Sequence, residues 1–321
     1  MSTSREPRVA VVGATGAVGN QIVELIAARA FAHSTLKLFA SSAGSSGTLD
    51  AGDEHYLIER LDDPADLAEF DIVFLAVPEA PALEIITARP GPILIDLSAC
   101  SRAPIDVTVS PGVTPRERVA ALGGRKLYAV PNPIAHAIAL CLGAIGPVAG
   151  AVAVAMQGAS AGGRGMIART VDQATDLLAA RLDLEEDDIQ RAFNAFAREN
   201  ERALAERIAE QALAMLSRPA ARVSVQLAAI SILHGTILTL HAREAAEGWI
   251  EALRAAPGIL LVEESEPLSV IDAVGQEAIL ARAEEHQSGA EIMCAFDNTR
   301  IAALCALWIA ETFALKSPVG N

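Results

Sequence analysis

Apolar residues follow two different periods along this chain, and the first change of period comes early. Residues 9–12 form an unbroken apolar run, fit for a strand buried on both faces, and Val18, Ile22, Leu25 and Ile26 then recur at helical spacing. Apolar runs at 35–40, 71–77 and 92–97 predict three more strands, with a helix over 80–88. Such alternation of strand and helix predicts a mostly parallel sheet with helices on both faces.

After Pro131-Asn132-Pro133 the rhythm changes, and a domain boundary is placed there, giving a first domain over 1–131 and a second over 132–297. The second half predicts a helix over 137–145, a strand over 151–156, a glycine-rich loop at 158–165 and long helices over 166–182 and 187–217. On the last of these Ile189, Phe193, Phe196, Asn200, Leu204, Ile208 and Leu216 share one side, with Arg and Glu opposite. The acidic run 185–188 caps its start as a solvated face. Apolar segments at 223–232, 236–240 and 258–262 predict a mixed sheet, and a helix over 300–315 closes the chain. Residues 137–156 carry no charge and approach the length of a membrane span, but Gly146-Pro147 divides them into a helix and a strand of a large core.

Composition narrows the function. With 321 residues, 52% of them hydrophobic, the chain has ample core for two domains. A net charge of −15 argues against nucleic acid or an anionic membrane as partner. Cys100, Cys141, Cys294 and Cys305 stand far apart without a CxxC pair, so no metal site is expected, and they read as buried thiols of a reducing compartment. Residues 1–8 are polar and lack an apolar leader core, so a cytoplasmic location is expected.

The turn after the first predicted strand is Gly13-Ala14-Thr15-Gly16-Ala17-Val18-Gly19. Gly13 would permit the tight turn, Gly16 a close approach of backbone to a pyrophosphate, and Gly19 close packing of helix on strand. Gly13, Thr15, Gly16, Ala17, Val18 and Gly19 are therefore the expected dinucleotide contacts, the alternative being a purely structural turn. The second strand ends at Ser41 and Ser42 rather than at an acidic residue. Serine hydroxyls can donate to a 2′-phosphate, which favours NADP over NAD.

Several blocks together resemble the aspartate-semialdehyde dehydrogenases, including the relatives that lack the catalytic cysteine: VVGATGAVG at 11–19, SSAG at 41–44, IDLSACSR at 95–102, VPNPIA at 130–135, QGASAGG at 157–163, LHGTILTLHA at 233–242 and DNTRIAALCALWIAE at 297–311. They lie in family order and span essentially the whole chain. The resemblance implies an α/β fold: an NAD(P)-binding Rossmann domain, completed by the C-terminal segment 298–316, plus an α+β catalytic and dimerisation domain. It implies a homodimer with a small-molecule ligand, no metal, and Ser160 and Asn298 as further cofactor positions. The family reaction is phosphate-dependent oxidation of aspartate semialdehyde through a cysteine thioester.

Carried over position by position, Arg102 matches the phosphate-binding arginine, Asn132 the asparagine before the nucleophile, Gln157 the active-site glutamine, His234 the acid/base and Glu210 the substrate-side glutamate. The nucleophile position holds Pro133, the carboxylate-binding arginine is Leu227, and the phosphate-binding lysine is Leu213. Proline offers neither a nucleophile nor an N–H, so no thioester can form there. Cys141, eight residues on in an apolar helical pattern, reads as core. His234 has two readings, a core histidine satisfied by one hydrogen bond or a group facing the site. The chain is thus expected to be an NADP-binding relative whose family reaction is lost or vestigial. The alternative is an active oxidoreductase on a small aldehyde or carbonyl, either by the family route or by direct hydride transfer with His234 as proton donor.

Overall fold

The computed structural model describes residues 6–40, 47–98, 107–181, 184, 189–197, 201–216, 222–263, 265–286 and 289–315. The chain divides into two compact units, residues 1–132 with 302–321, and residues 133–301.

The first unit holds β1 (Arg8–Val12), α1 (Ala17–Ala28), β2 (Thr35–Ala40), β3 (Thr48–Ala51), β4 (Glu54–Arg60), β5 (Ile72–Leu75), α2 (Glu79–Ala88), β6 (Ile93–Asp96), α3 (Arg116–Ala121) and β7 (Leu127–Ala129). Its sheet runs β3-β4-β2-β1-β5-β6-β7, parallel except for β3 against β4. β1 lies between β2 and β5, so the chain reverses its direction of winding at β1. Its carboxyl end is therefore the crevice where open α/β sheets bind ligands. Val9, Ala10 and Val11 have no exposed surface, as an apolar run in a central strand requires. The pair β3/β4 was not foreseen: β4 is mostly exposed and rich in charge, so it lacks the apolar run that marks the inner strands.

The second unit holds α4 (Pro133–Ile145), β8 (Gly150–Gln157), α5 (Gly163–Leu178), β9 (Ala195–Phe196), α6 (Glu201–Met215), β10 (Arg222–Ile230), β11 (Thr236–Ala242), α7 (Trp249–Arg254), β12 (Ile259–Leu261), α8 (Val270–Ala273), β13 (Ile279–His286), β14 (Gly289–Phe296) and the start of α9 (Asn298–Ala310). Its sheet runs β12-β13-β14-β11-β8-β10-β9, mixed as expected. α4 is apolar all round and buries ten residues. Gly146, at φ +94°, ends it before β8, so the uncharged stretch forms a helix and a strand. Among the described residues no helix is long and apolar enough to cross a membrane.

One expected helix is much shorter than predicted. Among the described residues of 187–217 only Glu201–Met215 is helical, while Phe193 sits at φ +56° and Phe196 lies in β9. The apolar stripe continued through 189–196 by coincidence of spacing; the backbone there is instead held by side chains. Gln173 of α5 accepts from the N–H groups of Arg191 (2.7 Å) and Ala192 (3.4 Å), and the Phe193 N–H donates to Ser231 Oγ at 2.6 Å. The acidic run 185–188 lies outside the described residues. β13 and β14 were missed: β13 ends in the polar run Glu284-Glu285-His286, and Glu291 interrupts the apolar pattern of β14.

Candidate functional site

In the first unit, the turn after β1 is shaped by three glycines with different duties. Gly13 stands at φ +88°, and its N–H and that of Ala14 both donate to Phe39 O, at 2.8 and 3.0 Å. A Cβ at Gly13 would lie 2.3 Å from Ala76 O, and one at Gly19 would lie 2.1 Å from Gly13 O. Both are therefore required by packing. A Cβ at Gly16 would come no closer than 3.1 Å, to Gly13 O, so packing alone does not demand this glycine. Gly16 is the N-cap of α1, without a side-chain hydrogen bond and with no acid in the first turn. The helix N-terminus formed by Ala17, Val18 and Gly19 is left open for an anion, and Thr15 stands half-buried before it. These features fit the pyrophosphate of a dinucleotide. Ser41 and Ser42, on which the choice between NADP and NAD turns, lie outside the described residues, as do Arg102 and Cys100.

In the second unit, Gln157, Thr236 and Phe296 are cross-strand neighbours on β8, β11 and β14. The segments joined to them meet at one end of the sheet. Gly158 N donates to Gly235 O, Ala159 N to Ile232 O and Ser160 N to Leu233 O, all at 2.8–2.9 Å. The buried Ser160 hydroxyl donates to Asn298 Oδ1 at 2.8 Å and accepts from Gly235 N at 3.3 Å. Asp297 caps α9 by accepting from Thr299 and Arg300 N–H through Oδ1 and holds Gly275 N–H through Oδ2. Gly235, at φ +88°, is needed because a Cβ would lie 2.4 Å from Val270 Cγ1.

This arrangement brings Gln157, Ser160, His234 and Asn298 to one edge. His234 is exposed there, in the turn between β10 and β11, which excludes the core reading of this histidine. The left-handed Gly235 reverses the chain just before β11 and keeps the preceding residue outside the sheet. Gln157 is 8% exposed, and its Oε1 is buried without a hydrogen-bond partner. It borders a cavity of about 20 Å³.

Other expected residues lie elsewhere. Glu210 is exposed on α6, paired with Arg207 at 3.7 Å. It shares with Leu213 and Leu227 a broad concavity of about 2100 Å³ between α6 and β10, which neither Gln157 nor His234 lines. Pro133 is half-buried at the first position of α4, where its fixed φ suits a helix start. Cys141 is fully buried on the same helix, its sulfur 3.7 Å from that of Cys294, and therefore belongs to the core. Two titratable groups were not singled out from the sequence. Burial pushes His136 of α4 down to about 4, and raises the Asp96 carboxyl at the end of β6 against the opposing N–H of Ser98 at 2.9 Å.

The semialdehyde dehydrogenase NAD-binding domain family matches residues 8–121. The chain is 29% identical to a USG-1 protein homolog of Azotobacter vinelandii, over 98% of this chain and 94% of that protein. It is 28% identical to the aspartate-semialdehyde dehydrogenase of Synechocystis sp., over 95% and 96% of the two chains. The solved structure of a probable aspartate-semialdehyde dehydrogenase from Pseudomonas aeruginosa has a TM-score of 0.85 at 26% identity, covering 96% of this chain and 98% of that one. The first domain thus matches a semialdehyde dehydrogenase family model, and over its whole length the chain is similar to aspartate-semialdehyde dehydrogenases. The fold is also shared with aspartate semialdehyde dehydrogenase II of Vibrio cholerae, solved in complex with ASA, at a TM-score of 0.86 and 23% identity over 96% of this chain and 98% of that one. An NAD(P)-binding first domain accords with the glycine turn of β1 and α1.

Proposed function

We propose that this protein is an NADP-binding, homodimeric, cytoplasmic member of the family in which the thioester route is closed. The observation that carries this is Pro133, directly after Asn132 at the start of α4. A proline there has no group to attack an aldehyde, and the buried Cys141 offers no replacement. Leu213 and Leu227 stand beside Glu210 where the resemblance places two cations, so those two charged partners of phosphate and carboxylate are absent, although Arg202, Arg222 and Arg243 line other walls of the concavity. Dimerisation is supported by apolar side chains exposed on the second sheet, among them Val152 and Met293 in adjacent rows of β8 and β14.

A bound nicotinamide dinucleotide would supply hydride transfer. Gly13, Gly16 and Gly19 shape its phosphate seat, while Ser160 and Asn298 fix the loop that ends β8. The exposure of His234 at that same edge favours a second reading, in which this imidazole gives a proton to a carbonyl oxygen without any covalent intermediate. Fluorescence titration with NADPH and NADH, together with a phosphate-dependent assay on aspartate semialdehyde, tests the main reading. Micromolar NADPH binding without phosphate-dependent turnover is expected; robust turnover, or no nucleotide binding by folded protein, refutes it. NADPH consumption in a carbonyl screen that disappears in His234→Ala would establish the second reading in its place.

A further inference from the structure

Arg191 lies in the segment between α5 and β9, where both ends of the backbone are fixed. Gln173, 6% exposed, holds the Arg191 N–H at 2.7 Å and donates to Ile189 O at 3.2 Å, and Ala195–Phe196 pairs with β10. Its guanidinium carbon lies 5.5 Å from the Phe196 ring centroid. Its Nε is buried without an acceptor, and no described carboxylate forms an ion pair with it. In a chain with 40 acidic and 25 basic residues, this is a cation held apart from the abundant acids.

The same small cavity that borders Gln157 is walled by Arg191, with Phe196, Gly162, Met166 and Thr170. An unpartnered amide oxygen and an unpartnered charged N–H thus border one space of about 20 Å³, enough for a single oxygen atom. The first turn of the sixteen-residue α5 adds no acid and no side-chain cap. A water would satisfy the hydrogen bonds of both side chains but leave the charge of Arg191 uncompensated. A carboxylate oxygen accepts from Arg191 and neutralises it, and the Gln157 amide, turned over, then donates from Nε2.

We propose that Arg191 and Gln157 form a seat for the carboxylate of a small acid, with Arg191 as the specificity-determining cation in place of the one lost at Leu227. The proposal rests on reading the end of β8 as the substrate side; its test, run without nucleotide, is independent of cofactor binding. A planar carboxylate can place one oxygen in so small a niche with its tail outside, whereas a tetrahedral phosphate is too broad.

Calorimetric titration of the full chain at low salt with succinate and with inorganic phosphate tests this. Saturable succinate binding is expected, weakened by at least about 30-fold in Arg191→Leu and partly retained in Arg191→Lys. NADPH affinity and the urea midpoint of both variants should stay as in the wild type. Should Arg191→Leu fail to fold, protection in the wild type decides: succinate should shield Arg191 from phenylglyoxal, read by peptide mass spectrometry. Absence of saturable succinate binding, equal binding by Arg191→Leu, phosphate binding as tight as succinate, or an unshielded Arg191 overturns the proposal.

Discussion

Ser160 donates its hydroxyl hydrogen to Asn298 Oδ1 at 2.8 Å, joining two buried residues 138 positions apart. The same hydroxyl oxygen accepts from Gly235 N–H, so one side chain ties the loop after β8 to the turn before β11 and to the start of α9. Ser160→Ala leaves a buried donor and a buried acceptor without partners, and should cost about 1–3 kcal/mol. Asn298→Ala should cost a similar amount, and the double variant less than the sum, because the two changes remove one shared interaction. Urea unfolding of the four proteins measures this. Strict additivity would mean that the bond does not couple the two elements.

The glycines of the first turn should separate by substitution. Gly19→Ala puts a methyl 2.1 Å from Gly13 O, which forces α1 off the strand, so loss of both stability and NADPH binding is expected. Gly16→Ala meets Gly13 O at 3.1 Å and gives up a favourable N-cap glycine, so the urea midpoint should fall, but by far less than in Gly19→Ala. Its methyl would stand where a pyrophosphate must approach the backbone, so NADPH affinity should fall about tenfold or more, equivalent to about 1.4 kcal/mol. If Gly16→Ala binds NADPH as the wild type does, the phosphate lies elsewhere.

How far these sites could be read from the chain depended on whether their signal was local. The turn at 13–19 was legible because strand, glycines and helix are consecutive, and each glycine's duty follows from backbone contact within that stretch or with one neighbouring strand. The niche of Arg191 was not. Its residues come from β8, α5 and the segment before β9, and the apolar spacing of Ile189, Phe193 and Phe196 imitated a helix that side-chain hydrogen bonds to Gln173 and Ser231 replace. The exposure of His234 was equally hidden, since it depends on the left-handed conformation of Gly235 rather than on the apolar residues around it in sequence.

Pro133→Cys asks what the rest of the pocket retains. A proline at the first helical position costs nothing in hydrogen bonding, and replacing it should destabilise the protein by only about 0.4–1 kcal/mol. The new thiol, at the N-terminus of α4, should be acidified by the helix and react readily with a thiol reagent. Phosphate-dependent turnover of aspartate semialdehyde should nevertheless stay absent, because Leu213 and Leu227 offer no charge to either anion. Adding Leu213→Lys and Leu227→Arg should bring turnover above background. Full activity of the single variant would show that those two cations are dispensable in this chain.

His136 should make the protein sensitive to mild acid. Burial holds its folded-state value at about 4, below the 6.5 of an exposed imidazole, so between these values the unfolded chain takes up a proton that the folded chain refuses. Stability from this group is complete above about pH 6.5 and is lost as pH falls toward 4, by up to about 3 kcal/mol. Asp96 acts in the opposite sense: its buried carboxyl is raised above 3.8, so the folded chain takes that proton first and is favoured as the acid range is entered. The wild-type slope is the difference between the two. His136→Gln removes the histidine contribution, so the urea midpoint measured at pH 7, 5.5 and 4.5 should fall less steeply than in the wild type. Proton NMR of the wild type should show no titration of this imidazole above pH 5; a midpoint near 6.5 would mean that the ring is solvated and the acid sensitivity arises elsewhere.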